Sequence, residues 1–210
     1  MRAEIEPAVF RTRSTSRRHG RRDSARSRWQ FCRGRDVGAS RGFGHGCETA
    51  SGARDSSRGP ESPQFVYAAD LGCDAIFGYR LDATTGGLIA LNPPCVKTRP
   101  GAGPRHVAFH PDGRRLYAIN EPDSTIGVYD IDGMTGRLAQ QQIVPSLPDG
   151  FSGENATADV KLTPDGGLLL CANMTGGNLA IFRIDRETGR LERVGEPVPM
   201  ASPSCVAIVP

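Results

Sequence analysis

Two adjacent side chains, Arg105 and His106, are the strongest candidates for chemistry in this sequence. They follow Gly-Pro and open a short apolar run, which predicts the start of a strand. Arg105 carries a planar guanidinium that suits a phosphate or a carboxylate, and His106 can act as a base or a donor near neutral pH. A third candidate is Glu154, whose carboxylate could orient His106 or activate water. We predict these three residues to be catalytic.

Polar residues at the ends of neighbouring predicted strands are the next candidates. Asn120 and Glu121 end one such strand, and Asp70 ends the equivalent strand earlier in the chain. Their side chains can hydrogen-bond to substrate hydroxyls, so we predict Asp70, Asn120 and Glu121 to bind substrate. His110 precedes Pro111 in a turn, and we interpret it as structural.

Several kinds of site lack their sequence signature. No His, Asp or Glu cluster has metal-ligand spacing, and there is no Gly-rich phosphate loop or G-x-S-x-G elbow. We therefore expect no metal and no cofactor. The 6 cysteines form no C-x-x-C pair, which indicates free thiols in a reducing cytoplasm. No run approaches the roughly 18 apolar residues of a membrane span, so we expect no membrane partner.

An internal repeat predicts the elements that position these residues. The stretches 66–88, 116–138 and 169–191 align at offsets of 50 and 53 residues. Tyr67 and Tyr79 of the first stretch meet identical residues in the second. Pro-Asp-Gly turns at 111–113 and 164–166 recur in phase with the repeat. A period near 50 with short strands and turn residues is typical of a propeller blade of four antiparallel strands.

The repeat therefore predicts an all-β fold: a partial β-propeller of about three four-stranded antiparallel blades. The stretch 202–210 matches the opening of a fourth copy, whereas 53–63 lacks the strand pattern expected one period before 103–113. Most repeated residues are predicted to be architectural. The aromatic ones should pack between blades and the aspartates should cap turns; they are Tyr79, Tyr129, Phe182, Asp82, Asp132 and Asp185.

The first part of the chain differs in composition from the rest. Residues 1–60 contain 14 arginines, no lysine and 6 acidic residues, a net charge of +8, whereas residues 61–210 have a net charge of −5. A segment rich in Arg, Ser and Gly cannot bury enough apolar surface to offset its chain entropy. We predict a disordered arm over 1–63 and the propeller domain over 64–210. Nucleic-acid binding through the arm ranks last among the functions considered.

Two stretches carry a specific family resemblance: GAGPRHVAFHPDGRRLYAINEPDSTIGVYD at 101–130 and LPDGFSGENATADVKLTPDGGLLLCAN at 147–173. They resemble the seven-bladed propeller lactonases of the 6-phosphogluconolactonase type, whose relatives include carboxymuconate-lactonising enzymes. The resemblance implies a seven-bladed ring and functional residues at Arg105, His106 and Glu154. The chain has Met174 where family members commonly carry an arginine, which argues against a strong anion site there.

The implied activity is hydrolysis of 6-phospho-D-glucono-1,5-lactone to 6-phosphogluconate, a cytoplasmic step of the pentose phosphate pathway. The implied partner is thus a small sugar lactone. Two alternatives remain: a lactonising cycloisomerase on the same scaffold, and a non-catalytic propeller fragment or interaction module. About three blades leave blade faces uncovered, because a ring closes with four to eight, so open edges are expected to favour self-association.

Overall fold

The computed structural model of the chain describes residues 48–51, by their backbone, and residues 64–209. All of them lie in one compact unit. The predicted arm therefore falls outside the described residues except at 48–51, as does any nucleic-acid binding through it.

The described residues form strands in three antiparallel sheets. The first sheet runs in the order β1 (Glu48–Ser51), β2 (Gln64–Asp70), β3 (Ala75–Asp82), β4 (Gly87–Lys97). The second runs β5 (Pro104–Phe109), β6 (Arg115–Asn120), β7 (Thr125–Ile131), β8 (Leu138–Pro145). The third runs β9 (Thr157–Leu162), β10 (Leu168–Asn173), β11 (Asn178–Ile184), with β12 (Leu191–Arg193) and β13 (Val198–Pro199) both paired to β11. The predicted all-β fold of about three blades is confirmed.

The third and fourth strands of each blade are joined by the same turn. In the second blade the Asp132 carboxylate accepts the N–H groups of Met134 and Thr135 at 2.9 and 2.8 Å. The N–H of Gly136 then bonds the Asp132 carbonyl oxygen at 2.7 Å. Aspartates 82 and 185 make the corresponding bonds in the other two blades, so the predicted turn-capping role is confirmed.

The inner strand of the first blade comes from an unexpected place. The segment 53–63, one period before the next inner strand, is not described, and β1 pairs with β2 from Glu48↔Ala69 to Ser51↔Val66. Residues 48–51, which belong to the predicted arm over 1–63, form this strand. The physical reason is that backbone pairing along the inner edge of β2 satisfies its N–H and C=O groups, and this pairing does not require the repeat's side-chain pattern.

The hydrophobic core lies between blades as two clusters. One joins blades 1 and 2 through the buried Tyr67, Leu116 and Tyr129. The other joins blades 2 and 3 and includes Tyr117 and Phe182. Burial of an apolar side chain such as Leu116 or Phe182 contributes about 1.5–3 kcal/mol. The predicted inter-blade packing is thus confirmed for Tyr129 and Phe182, whereas Tyr79 is only half-buried.

At both blade interfaces, a tyrosine hydroxyl also forms a hydrogen bond to the next blade. The Tyr67 hydroxyl donates to the Gly136 carbonyl oxygen at 2.6 Å, and the Tyr117 hydroxyl donates to that of Gly189 at 3.0 Å. Both glycines have positive φ, at 71° and 70°, in the Asp-capped turn. The two bonds occupy equivalent repeat positions, so the repeat encodes the blade interface as well as the blade.

The inner strands β1, β5 and β9 lie side by side. Side chains at the same repeat position on successive inner strands are therefore neighbours. In the described part of the chain, no helix has the length and apolarity needed to cross a membrane.

Candidate functional site

Arg105 and Glu121 meet at the start of β5 and the end of β6. Their side chains form an ion pair, Arg105 Nη1 to Glu121 Oε2 at 3.2 Å, with 31% and 30% of the side chains exposed. The Glu121 N–H bonds the Gly103 carbonyl oxygen at 2.8 Å, which fixes the end of β6 beside the loop that leads to Arg105. A guanidinium in this position is ordered by one carboxylate and still reaches solvent.

His106 meets a carboxylate on the next blade. Its Nδ1 lies 3.1 Å from Oδ1 of Asp159 on β9, and the Asp159 side chain is only 3% exposed. Asp159 also accepts from Lys161 Nζ at 2.9 Å and, through Oδ2, from the Val206 N–H at 2.9 Å. The Asp159 carboxylate therefore links β5, β9 and the segment that follows β13.

The hydrogen bonds to Asp159 determine its charge. Burial favours the neutral acid, but the bonds from Lys161, the Val206 N–H and His106 outweigh it and hold the pKa of the Asp159 carboxyl below its ordinary value. The group is ionised at neutral pH and can only accept hydrogen bonds. His106 is consequently held by a fixed negative charge.

Asp159 was not among the residues predicted from the sequence. A signal for it was present, because the 53-residue offset that aligns HPDG with TPDG also places Asp159 opposite His106. Neighbouring inner strands bring residues at equal repeat positions together. The repeat thus carries pairing information across blades as well as the fold.

The loop before Arg105 is held by an aspartate of the first blade. Asp74, in the turn between β2 and β3, accepts the N–H groups of Gly101 and Gly103 at 2.8 Å each. A Cβ on Gly103, whose φ is 62°, would lie 2.7 Å from the ring of Pro122. The predicted Asp70 instead accepts the Cys73 N–H at 2.9 Å within its own turn, so it has a local structural role here.

Asn120 is buried and makes hydrogen bonds within the fold. Its side chain is 1% exposed, its Nδ2 donates to Thr125 Oγ1 at 2.9 Å, and its carbonyl oxygen accepts from Thr157 Oγ1 at 3.0 Å. The predicted substrate contact would require this buried amide to become accessible. Asn120 joins blade 2 to β9 instead.

Glu154 lies in the connection between β8 and β9 and is exposed. Within residues 64–209 it makes no observed hydrogen bond or ion pair. The structure therefore pairs Arg105 with Glu121, and His106 with Asp159, which also binds Lys161, but it does not join Glu154 to His106. Among the described residues, no group of three or more His, Cys, Asp or Glu side chains is placed to hold a metal ion.

The arrangement offers an imidazole, an arginine and a lysine, with both cations bound to carboxylates. An imidazole beside an ionised carboxylate can take a proton from water. The guanidinium donors that do not face Glu121 can bind an oxyanion or an anionic substituent. These are the kinds of side chain that hydrolysis of an activated carbonyl uses.

Comparisons with known proteins point to the same chemistry. The chain is 46% identical over 100 residues to the 6-phosphogluconolactonase of Erwinia tasmaniensis, covering 48% of this chain and 30% of that protein. It is 38% identical over 130 residues to the 6-phosphogluconolactonase of Pectobacterium carotovorum, covering 62% and 39%. The solved periplasmic gluconolactonase of Pseudomonas aeruginosa matches with a TM-score of 0.59 and 35% identity, over 62% of this chain and 37% of that one.

The chain spans less than half the length of these relatives. The family model described as "Lactonase, 7-bladed beta-propeller" matches residues 60–197 and 159–208, which include all of β2 to β13. This match covers well over half of the chain, and it agrees with the three observed sheets and their order. The chain belongs to the seven-bladed β-propeller lactonase family.

Proposed function

We propose that this protein takes part in the hydrolysis of a sugar lactone, and that 6-phospho-D-glucono-1,5-lactone is the substrate. The observation that carries the proposal is the pairing of His106 with the buried, ionised Asp159; the Arg105–Glu121 ion pair starts at the preceding residue of β5. The matched relatives named 6-phosphogluconolactonase support the substrate class. With a sugar phosphate as substrate, we propose a cytoplasmic location for the reaction.

The proposed reaction needs a base and an oxyanion donor. His106 takes a proton from water as the water oxygen attacks the lactone carbonyl carbon. The carbonyl oxygen becomes an oxyanion, which Arg105 stabilises through its free N–H donors. When the ring C–O bond breaks, the imidazolium returns the proton to the leaving oxygen, which becomes a hydroxyl group. The product is the open-chain acid.

The charges of the site affect how the 6-phosphate group of the proposed substrate can be bound. Arg105 and Lys161 each contact a carboxylate, and Met174 has no charge to offer. A 6-phosphate group must therefore compete with Glu121 for the guanidinium or be bound by other groups. For this reason the unphosphorylated glucono-1,5-lactone is the informative comparison substrate.

The test is a hydrolysis assay with the purified full chain. We expect turnover of 6-phosphogluconolactone above the buffer blank, loss of that turnover in His106→Ala, and retention in the control Asp149→Asn, which removes an exposed charge. Glu154→Gln is the second variant, and a drop in its turnover would support the predicted catalytic role of Glu154. Cyclisation of a carboxymuconate in place of hydrolysis would assign the cycloisomerase activity. Turnover equal to the blank in every variant would leave the non-catalytic alternative.

A further inference from the structure

We infer that Asp159 is a positioning residue for His106: its carboxylate accepts the Nδ1–H and holds the ring in the tautomer whose Nε2 carries the lone pair. The catalytic meaning of this inference rests on the proposed function. The tautomer itself is a property of the folded chain and can be observed without any substrate.

The geometry fixes both partners from different blades. His106 is on β5 and Asp159 is on β9, and the Nδ1 to Oδ1 distance is 3.1 Å. The Asp159 side chain is 3% exposed and that of His106 is 23% exposed. A hydrogen bond across two inner strands therefore sets the orientation of the imidazole, since neither side chain has much free space in which to move.

The chemistry of the carboxylate then sets the tautomer. An ionised carboxylate has no proton to donate, so a neutral imidazole that hydrogen-bonds to it must use a protonated Nδ1. In the other tautomer the Nδ1 lone pair would face the Oδ1 lone pairs at 3.1 Å. Which nitrogen is protonated in a histidine is generally decided by the bond that the other nitrogen makes.

The other hydrogen bonds to Asp159 allow two variants to distinguish positioning of His106 from a purely structural role. Within residues 64–209, Oδ1 accepts from the Val160 N–H and Lys161 Nζ as well as His106, whereas Oδ2 accepts only from the Val206 N–H. In Asp159→Asn the amide NH₂ avoids the more crowded oxygen position and faces the Val206 N–H. The remaining oxygen still accepts from His106. Asp159→Asn thus loses the link to the terminal segment and keeps the link to the imidazole, whereas Asp159→Ala loses both.

The experiment combines histidine NMR with the lactone assay on the full chain. In a ¹⁵N-histidine sample at a pH where the ring is neutral, with the signal assigned by His106→Gln, we expect a protonated Nδ1 and an unprotonated Nε2. The same pattern is expected in Asp159→Asn. In Asp159→Ala we expect a change to the Nε2–H form, as in free histidine, and a fall in kcat of about 10–100-fold with little change in KM. The control Asp149→Asn should match the wild type in both measurements.

A wild-type spectrum with the proton on Nε2 would overturn the inference, and this spectrum is decisive even if Asp159→Ala does not fold. Equal losses of kcat in the Ala and Asn variants, with His106 in the same tautomer in both, would also overturn it by showing a structural role alone. A protonated Nδ1 in a wild-type chain without lactonase activity would contradict the proposed function and leave the positioning intact. The two failures are therefore distinguishable.

Discussion

The tyrosine bond between blades 2 and 3 gives a quantitative prediction. The Tyr117 hydroxyl is buried and donates to the Gly189 carbonyl oxygen at 3.0 Å. Tyr117→Phe removes this bond and leaves a carbonyl without a donor at the blade interface. A lost bond of this kind costs about 0.5–1.5 kcal/mol, and an unsatisfied buried group costs about 1–3 kcal/mol. We expect the free energy of unfolding to fall by about 1–3 kcal/mol.

The measurement is urea unfolding followed by circular dichroism, with the melting temperature as a second readout. A chain of this size should lose about 2–4 °C per kcal/mol. The matched control is Tyr129→Phe, since Tyr129 is equally buried and its hydroxyl makes no hydrogen bond observed within residues 64–209. In the third blade, Phe182 occupies the repeat position of Tyr129 and has no hydroxyl. A Tyr117→Phe variant as stable as the wild type, or a control destabilised to the same extent, would refute the reasoning.

Three further predictions concern turns and thiols. Gly136→Ala should destabilise the chain by more than 1 kcal/mol beyond Gly86→Ala in urea unfolding, because both glycines have φ near 70° but only at Gly136 would the Cβ clash with a neighbouring side chain; equal losses would argue against the interface. Hydrogen bonds from the Thr188 hydroxyl and N–H hold the pKa of the Asp185 carboxyl below its ordinary value of 3.8. The ionised Asp185 therefore stabilises the folded chain above pH 3.8, and this stabilisation is lost as the pH falls through the folded-state pKa. Asp185→Asn should therefore show a smaller loss of urea midpoint than the wild type between pH 6 and pH 3, and an unchanged loss would contradict this. Burial raises the pKa of the Cys171 thiol to about 12, so iodoacetamide at pH 8 should label the exposed Cys205 and spare Cys171 until the chain unfolds, as mass spectrometry would show; early labelling of Cys171 would contradict its burial.

The blade architecture could be predicted because its sequence pattern recurs in three aligned stretches. The Asp-capped turns at Asp82, Asp132 and Asp185 and the aromatic positions at Tyr129 and Phe182 recur at nearly constant offsets, and each has a local physical reason. Repetition makes a weak single-strand signal strong. The inner strand at 48–51 does not share the pattern, because main-chain pairing with β2 can place a segment that has no characteristic side chains.

The site was predictable only in part, because chemical type and burial are separate properties. Arg105 and His106 were identified from their chemistry, and they do lie beside carboxylates. Asn120 was chosen as a polar residue at a strand end, yet it is 1% exposed and joins two blades. Asp159 was missed because partner identity depends on which inner strands are adjacent, and that becomes visible only when the repeat is used to align positions across blades.

The most direct test of the central claim is whether a lactonase product binds beside His106. In a titration of the ¹⁵N-labelled full chain with 6-phosphogluconate, we expect the signals of His106 and of the Arg105 side chain to shift in a saturable way. The His110 signal should stay unchanged, because that ring contacts the Gly166 carbonyl oxygen of the neighbouring turn at 3.2 Å. Saturable shifts at His110 with none at His106, or no shift at either residue, would contradict the assignment of this site.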